Sequence, residues 1–120
     1  MKRTLAILAL SLAAPAAAQS PDWAGVWAYD PDICQWADQI GEHDPAPVGI
    51  TETKIIGLEN ICDITSVTDS GTDAAWLLTL SCSGEGEHYQ DTTILMLEDP
   101  DTLWRWYGGG APGRYTRCPQ

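Results

Sequence analysis

The chain has 120 residues, with 17 acidic and six basic side chains and a formal net charge of −11. So few Lys and Arg exclude a nucleic-acid footprint, which needs basic stripes, and argue equally against docking on an anionic membrane surface. Six Trp, four Tyr and no Phe mean that indole and phenol rings must supply the aromatic part of any core, and their N–H and O–H groups need partners when buried.

Met1-Lys2-Arg3 is a short basic start, and Thr4 to Leu12 is a nine-residue, mostly apolar run. Pro15 breaks it, and Ala16-Ala17-Ala18 before Gln19 has the small-residue pattern of a signal-peptidase site. Residues 1-18 therefore read as a signal peptide cleaved after Ala18. The apolar run is too short to span a bilayer as a helix, and no later segment is long enough either. The expectation is a periplasmic or secreted protein, with residues 19-120 as a single domain. A domain of this size buries about 60–70% of its unfolded surface, so its stability margin is small. Lys54, Arg105, Arg114 and Arg117 are its basic side chains, set against all 17 acids. That imbalance suits either plain solubility or a basic partner.

Trp23 to Tyr29 opens the domain as a strand with Trp23, Gly25, Trp27 and Tyr29 on one face. Asp30-Pro31-Asp32 then reads as a helix start, with Asp at the N-cap and Pro at the first helical position. Ile33, Trp36 and Ile40 recur at helical spacing and Gly41 is a suitable stop, which predicts one short helix near residues 31-40 carrying Cys34. Glu42 to Val48 contains two prolines and reads as a loop. Ile50 to Leu58 reads as one bent strand or two short ones, with a break at Gly57.

The stretch from Ile61 to Cys82 organises the rest. Cys62 to Val67 is rich in β-branched residues, Thr68 to Asp73 is turn chemistry, and Ala75 to Cys82 alternates with a period of two. Antiparallel pairing of Cys62 with Cys82 sets Ile64 opposite Leu80, Ser66 opposite Leu78 and Thr68 opposite Trp76. Ser83 to Glu87 is the next turn and Tyr89 to Leu97 the next strand, apolar on both faces at its end. After the turn Glu98-Asp99-Pro100-Asp101, Leu103 to Tyr107 is a strand. Trp104 and Trp106 on one side of it read as core, and Leu103, Arg105 and Tyr107 face the other way. Gly108 to Gly113 connects to a closing strand over Arg114 to Cys118. Strands at this spacing predict an all-β antiparallel meander of about seven strands, closed as a small barrel or packed as a tight sandwich. Closure removes exposed strand edges.

Four cysteines in an exported chain allow three disulfide pairings. The hairpin register favours Cys62–Cys82, which leaves Cys34–Cys118 to join head to tail. In the chain-entropy model these two loops contribute about 3 and 4–5 kcal/mol. Zinc is the alternative, but the cysteines stand singly, with no C-x-x-C pair.

Chemistry-bearing residues are sparse. Glu85, Glu87 and His88 are close enough in sequence for acid–base work, yet they sit in or beside a glycine-rich turn with no supporting shell. Asp99 and Asp101 flank a proline without the ligand series of a calcium loop. Trp104-Arg105-Trp106-Tyr107, followed by three glycines, is the most suggestive stretch, because aromatics with Arg are what binding hot spots use. The candidate contact surface is therefore Glu85, Glu87, His88, Trp104, Arg105, Trp106 and Tyr107. No cofactor and no metal is expected.

Gly25-x-Trp27 resembles the start of lipocalin-type barrels. That resemblance implies an Arg near the C-terminus packed by Trp27, with Arg114 or Arg117 as the counterpart. A wider pattern is similar to small uncharacterised periplasmic proteins of Gram-negative bacteria. It comprises Gly25-x-Trp27, Cys34, Gly57-x-Glu59-x-x-Cys62, Cys82-Ser83-Gly84-Glu85-Gly86 and Tyr115-x-Arg117-Cys118, and it implies export and two disulfides without an activity. A looser likeness to periplasmic lysozyme inhibitors rests on size, disulfides and acidity; Ser83 to Tyr89 does not reproduce their Ser-Gly-x-x-Tyr loop.

These readings lead to three expectations of function. The first is a non-enzymatic interaction or inhibitor-like module that presents its acidic loops to a basic protein of the cell envelope. The second is a lipocalin-like carrier of a small apolar molecule, and the third is an enzyme, for which the residues offer least. A dry, fully packed interior would remove the carrier.

Overall fold

The computed structural model describes residues 9–12 and 19–120. Apart from residues 9–12, the predicted signal peptide and its cleavage point lie outside the described residues. No helix among the described residues is long and apolar enough to cross a membrane.

The described strands are β1 (Gly25–Ala28), β2 (Val48–Ile50), β3 (Lys54–Ile56), β4 (Asn60–Asp69), β5 (Ala75–Gly84), β6 (Glu87–Asp99), β7 (Thr102–Trp106) and β8 (Gly113–Arg117). Each pairs antiparallel with the next, and β8 returns to β1, so the sheet closes into an eight-stranded barrel. Both disulfides form with the expected partners, Cys34–Cys118 and Cys62–Cys82. Closure decides between barrel and sandwich, and the strand count exceeds the expected seven because the Val48 to Leu58 region makes two strands. Val48 belongs to β2 rather than to the preceding loop. The break between β2 and β3 falls at residues 51–53, where Thr51 Oγ1 accepts from the N–H groups of Thr53 and Lys54 at 3.2 and 2.9 Å. Gly57 still separates β3 from β4, its N–H donating to the Asn60 carbonyl at 2.9 Å.

The helix is a 3-10 helix over Pro31–Gln39, interrupted by non-helical backbone at Trp36. Asp30 caps it as expected, its carboxylate accepting from the Asp32 N–H at 2.9 Å. Residues three apart share a face in this tighter helix. Ile33 is accordingly buried and Trp36 half-buried against Ala28 and Cys118 on the outside of the barrel wall. The Cys34–Cys118 bond bolts the helix there.

Inside the barrel, Trp27, Ile50, Ile55, Cys62, Leu78, Leu80, Cys82, Leu95 and Leu103 form one buried cluster. The central hairpin keeps the expected register from Cys62–Cys82 to Ile64–Leu80 and then slips by one residue. Thr65 is the extra residue, a β-bulge whose hydroxyl donates to the Thr79 carbonyl at 3.1 Å. Beyond it Ser66 pairs with Thr79 and Thr68 with Leu77, not with Leu78 and Trp76.

The phase of β7 is also opposite to expectation. Leu103 and Arg105 face inward and are 0% and 7% exposed, whereas Trp104 and Trp106 lie on the outer face, half-buried. Cross-strand partners share a face. Arg105 pairs with Leu95 and Leu103 with Leu97, so the inward face of β6 dictates that of β7.

One end of the barrel is stoppered. Trp23 is buried there, and its carbonyl accepts from Trp27 Nε1 at 3.0 Å. The Arg117 guanidinium lies over the Trp27 ring, 4.2 Å from its centroid, and donates to the carbonyls of Ala24, Asp22 and Pro100 at 2.8, 2.8 and 3.0 Å. Arg117, not Arg114, is therefore the arginine packed by Trp27. Gly25 makes this possible, since a Cβ there would lie 2.4 Å from Arg117 Nη1.

Candidate functional site

The opposite end of the barrel is open. Strand directions place the chain after β1, the β3–β4 link, the β5–β6 turn and the β7–β8 connection all at that end. Between them lies a cavity of about 230 Å³ that runs into the barrel. Trp27, Ile55 and Cys62 form its inner wall, and Tyr29, Tyr89, Tyr107 and Tyr115 its upper wall, with Asn60 and Asp91 beside them.

Arg105 is the buried cation of this cup. Its position follows from β7: two residues after the buried Leu103, on the inward face, one step nearer the mouth. The guanidinium lies 4.5 Å from the centroid of the Tyr107 ring, and Nε donates to Thr93 Oγ1 at 3.4 Å. Thr93 is itself fixed, its hydroxyl donating to the Trp106 carbonyl at 3.1 Å. The ion pairs among the described residues are Lys54–Asp63, Arg114–Glu98 and Arg117–Asp101, so Arg105 has no carboxylate partner there. No side-chain nitrogen or oxygen among the described residues is both buried and unpaired. The terminal N–H groups of Arg105 therefore reach the open cavity, where solvent satisfies them. Burial holds the Tyr107 phenol above its ordinary range, and the Arg105 guanidinium pulls against that shift. Tyr107 is thus neutral and able to donate a hydrogen bond.

The rim of the same end is acidic. The β5–β6 connection is a two-residue turn, Glu85-Gly86, with positive φ at both positions (50° and 79°), as in the type I′ geometry that suits a hairpin's twist. It is tighter than the Ser83 to Glu87 turn read from sequence. Gly84 lets the β3–β4 link crowd against it, because a Cβ there would meet the Glu59 carbonyl oxygen at 2.7 Å. The Glu59 and Glu85 side chains consequently come close. A proton shared between them, with the repulsion between the two charges, holds Glu59 above the usual carboxylate range. Glu87 adjoins them around a shallow depression with Tyr89.

The two stretches singled out from sequence thus contribute unequally to one end. Arg105 and Tyr107 enter the cup, and Glu85 and Glu87 stand on its rim. His88 is exposed on the outside, paired with Ser83 Oγ at 2.9 Å, and Trp104 and Trp106 face outward from the barrel wall. Tyr29, Asn60, Tyr89, Asp91, Thr93 and Tyr115 complete the cup and escaped the sequence reading, because they come from four separate segments. Among the described residues no group of three or more His, Cys, Asp or Glu side chains is arranged to hold a metal ion. No protein-family model matches the chain, and neither the curated proteins nor the solved structures yield a match.

Proposed function

We propose that this is an exported, non-enzymatic binding protein whose working part is the open end of the barrel, a cup for a small, largely planar molecule. The cavity carries this reading: an apolar and aromatic inner wall of Trp27, Ile55 and Cys62 lies beneath a ring of tyrosines and a buried arginine, the combination of apolar lining and placed polar groups found in small-molecule sites. At about 230 Å³ it lies below the ~300–1,000 Å³ of sites for drug-sized ligands, so the occupant is smaller than a lipid. Two disulfides within one small domain support an oxidising compartment, the periplasm or the cell exterior. An NMR screen of small aromatic and aliphatic fragments tests the cup. Hits should perturb Tyr89, Tyr107 and Ile55 together, and a screen in which no fragment moves these residues would refute it.

The acidic rim favours a second reading, a module that presents its acidic loops to a basic envelope protein. Glu59 and Glu85 are held together at the cost of mutual repulsion, which a cationic partner would relieve. Capture of such a partner should weaken steeply with salt and fail after Glu85→Lys with Glu87→Lys. Salt-insensitive capture would count against this reading.

A further inference from the structure

Resting on the cup as the binding element, we infer that its ligand carries a carboxylate on an aromatic or similarly flat body, with the carboxylate bound by Arg105. Four observations converge on this class. Arg105 is more than nine-tenths buried, yet no acidic side chain among the described residues pairs with it. Leaving a cation unpaired inside a barrel is costly, and a chain with 17 acids had ample means to neutralise it. One edge of the guanidinium is already committed, through Nε to Thr93, and one face to Tyr107. What remains free is the pair of terminal nitrogens, the fork that matches a carboxylate's two oxygens. The same cavity is walled by Tyr29, Tyr89, Tyr107 and Tyr115, rings that suit a flat molecule rather than a flexible chain.

The surroundings also narrow the choice. Asp91 lines the cup, and Glu59, Glu85 and Glu87 stand at its rim, so a multiply charged anion is repelled before it reaches Arg105. A single carboxylate on a neutral body pays this penalty once. Asp91 should therefore act against binding, which gives the proposal a test of sign as well as of size.

The experiment titrates benzoate and its neutral, isosteric counterpart benzamide into the disulfide-intact protein, followed by two-dimensional NMR and by calorimetry. Benzoate should bind at least about tenfold more tightly than benzamide, the worth of one charge-assisted contact, and should shift the Arg105 Nε–H and the Tyr107 ring signals. Arg105→Met should erase this preference, and Asp91→Asn should strengthen benzoate binding while leaving benzamide unchanged. The comparison of the two ligands on the unaltered protein stands even if Arg105→Met fails to fold. Equal binding of benzoate and benzamide would overturn the carboxylate assignment and leave the cup intact. Absence of binding by both, together with failure of the wider fragment screen, would overturn the cup itself.

Discussion

Two arginines three residues apart on β8 offer a sharp test of what holds the barrel shut. Arg117→Met removes three hydrogen bonds from a charged donor to the carbonyls of Ala24, Asp22 and Pro100, and the stacking on Trp27. A hydrogen bond to a charged group is worth about 1.5–3 kcal/mol where it is shielded. The bond to Ala24 is part-buried, and the bonds to Asp22 and Pro100 are exposed, so water replaces much of their value. Counting the first in full, the other two at about a third, and the stacking at about 1 kcal/mol gives a loss of about 3.5–6 kcal/mol. That is a large share of the 5–15 kcal/mol typical of a domain. Arg114 is the control. It meets only Glu98 at 3.6 Å, with both side chains about half exposed, and Arg114→Met should cost less than about 0.5 kcal/mol. Guanidinium denaturation without reductant, followed by tryptophan fluorescence, measures both. A loss below about 1 kcal/mol for Arg117→Met, or equal losses for the two variants, would refute the idea that Arg117 stoppers this end.

Gly25→Ala should destabilise both through its φ of 154°, which L side chains rarely adopt, and through the new methyl meeting Arg117 Nη1; Arg117→Ala in the same chain should remove only the second part in a double-mutant cycle. Joint replacement of Cys62 and Cys82 by Ser should lower stability by about 3 kcal/mol, and joint replacement of Cys34 and Cys118 by about 4–5 kcal/mol, both read by denaturant titration. Equal losses would show that loop length does not govern them. The raised Glu59 carboxyl predicts a pH effect: above its ordinary value of 4.5 the unfolded chain gives up this proton first, so Glu59 detracts from stability as pH rises through that range. Glu85→Gln should return the Glu59 midpoint, followed by NMR, toward the ordinary value, and should flatten this part of the stability profile. An unchanged midpoint would mean the two carboxyls do not interact.

Much of the architecture could be read from local pattern. The hairpin around Cys62 and Cys82 announced itself through alternation, turn residues and a register that puts the two sulfurs opposite one another, and that pairing left only Cys34 with Cys118. The bulge at Thr65 was not visible, because threonine fits a regular strand equally well and the extra residue is required only by the curvature of closure. The phase of β7 was misread for a related reason. Alternation separates Trp104 and Trp106 from Leu103 and Arg105 but does not say which pair faces in, and the neighbouring Ile94-Leu95-Met96-Leu97 run is apolar on both faces. The buried arginine, which carries the binding proposal, was hidden by the ordinary preference of Trp over Arg for interiors. The tyrosines of the cup come together only through the closure of distant strands.

The mismatch in length between β3 and β4 has a consequence for behaviour at high concentration. β3 covers β4 only from Ile61 to Asp63, so past the Ile64 N–H, bonded to Thr53, the far half of β4 presents main-chain donors and acceptors to solvent on that side. An open flank of this kind is where a second molecule adds a strand and where fibrils start. Here the flank reads Thr65-Ser66-Val67-Thr68-Asp69, kinked at its first residue and ended by a carboxylate, so a neighbouring chain meets a bent, polar, negatively charged ribbon rather than a flat apolar one. A flank straightened by deleting Thr65 would offer a second chain a flatter edge to pair with.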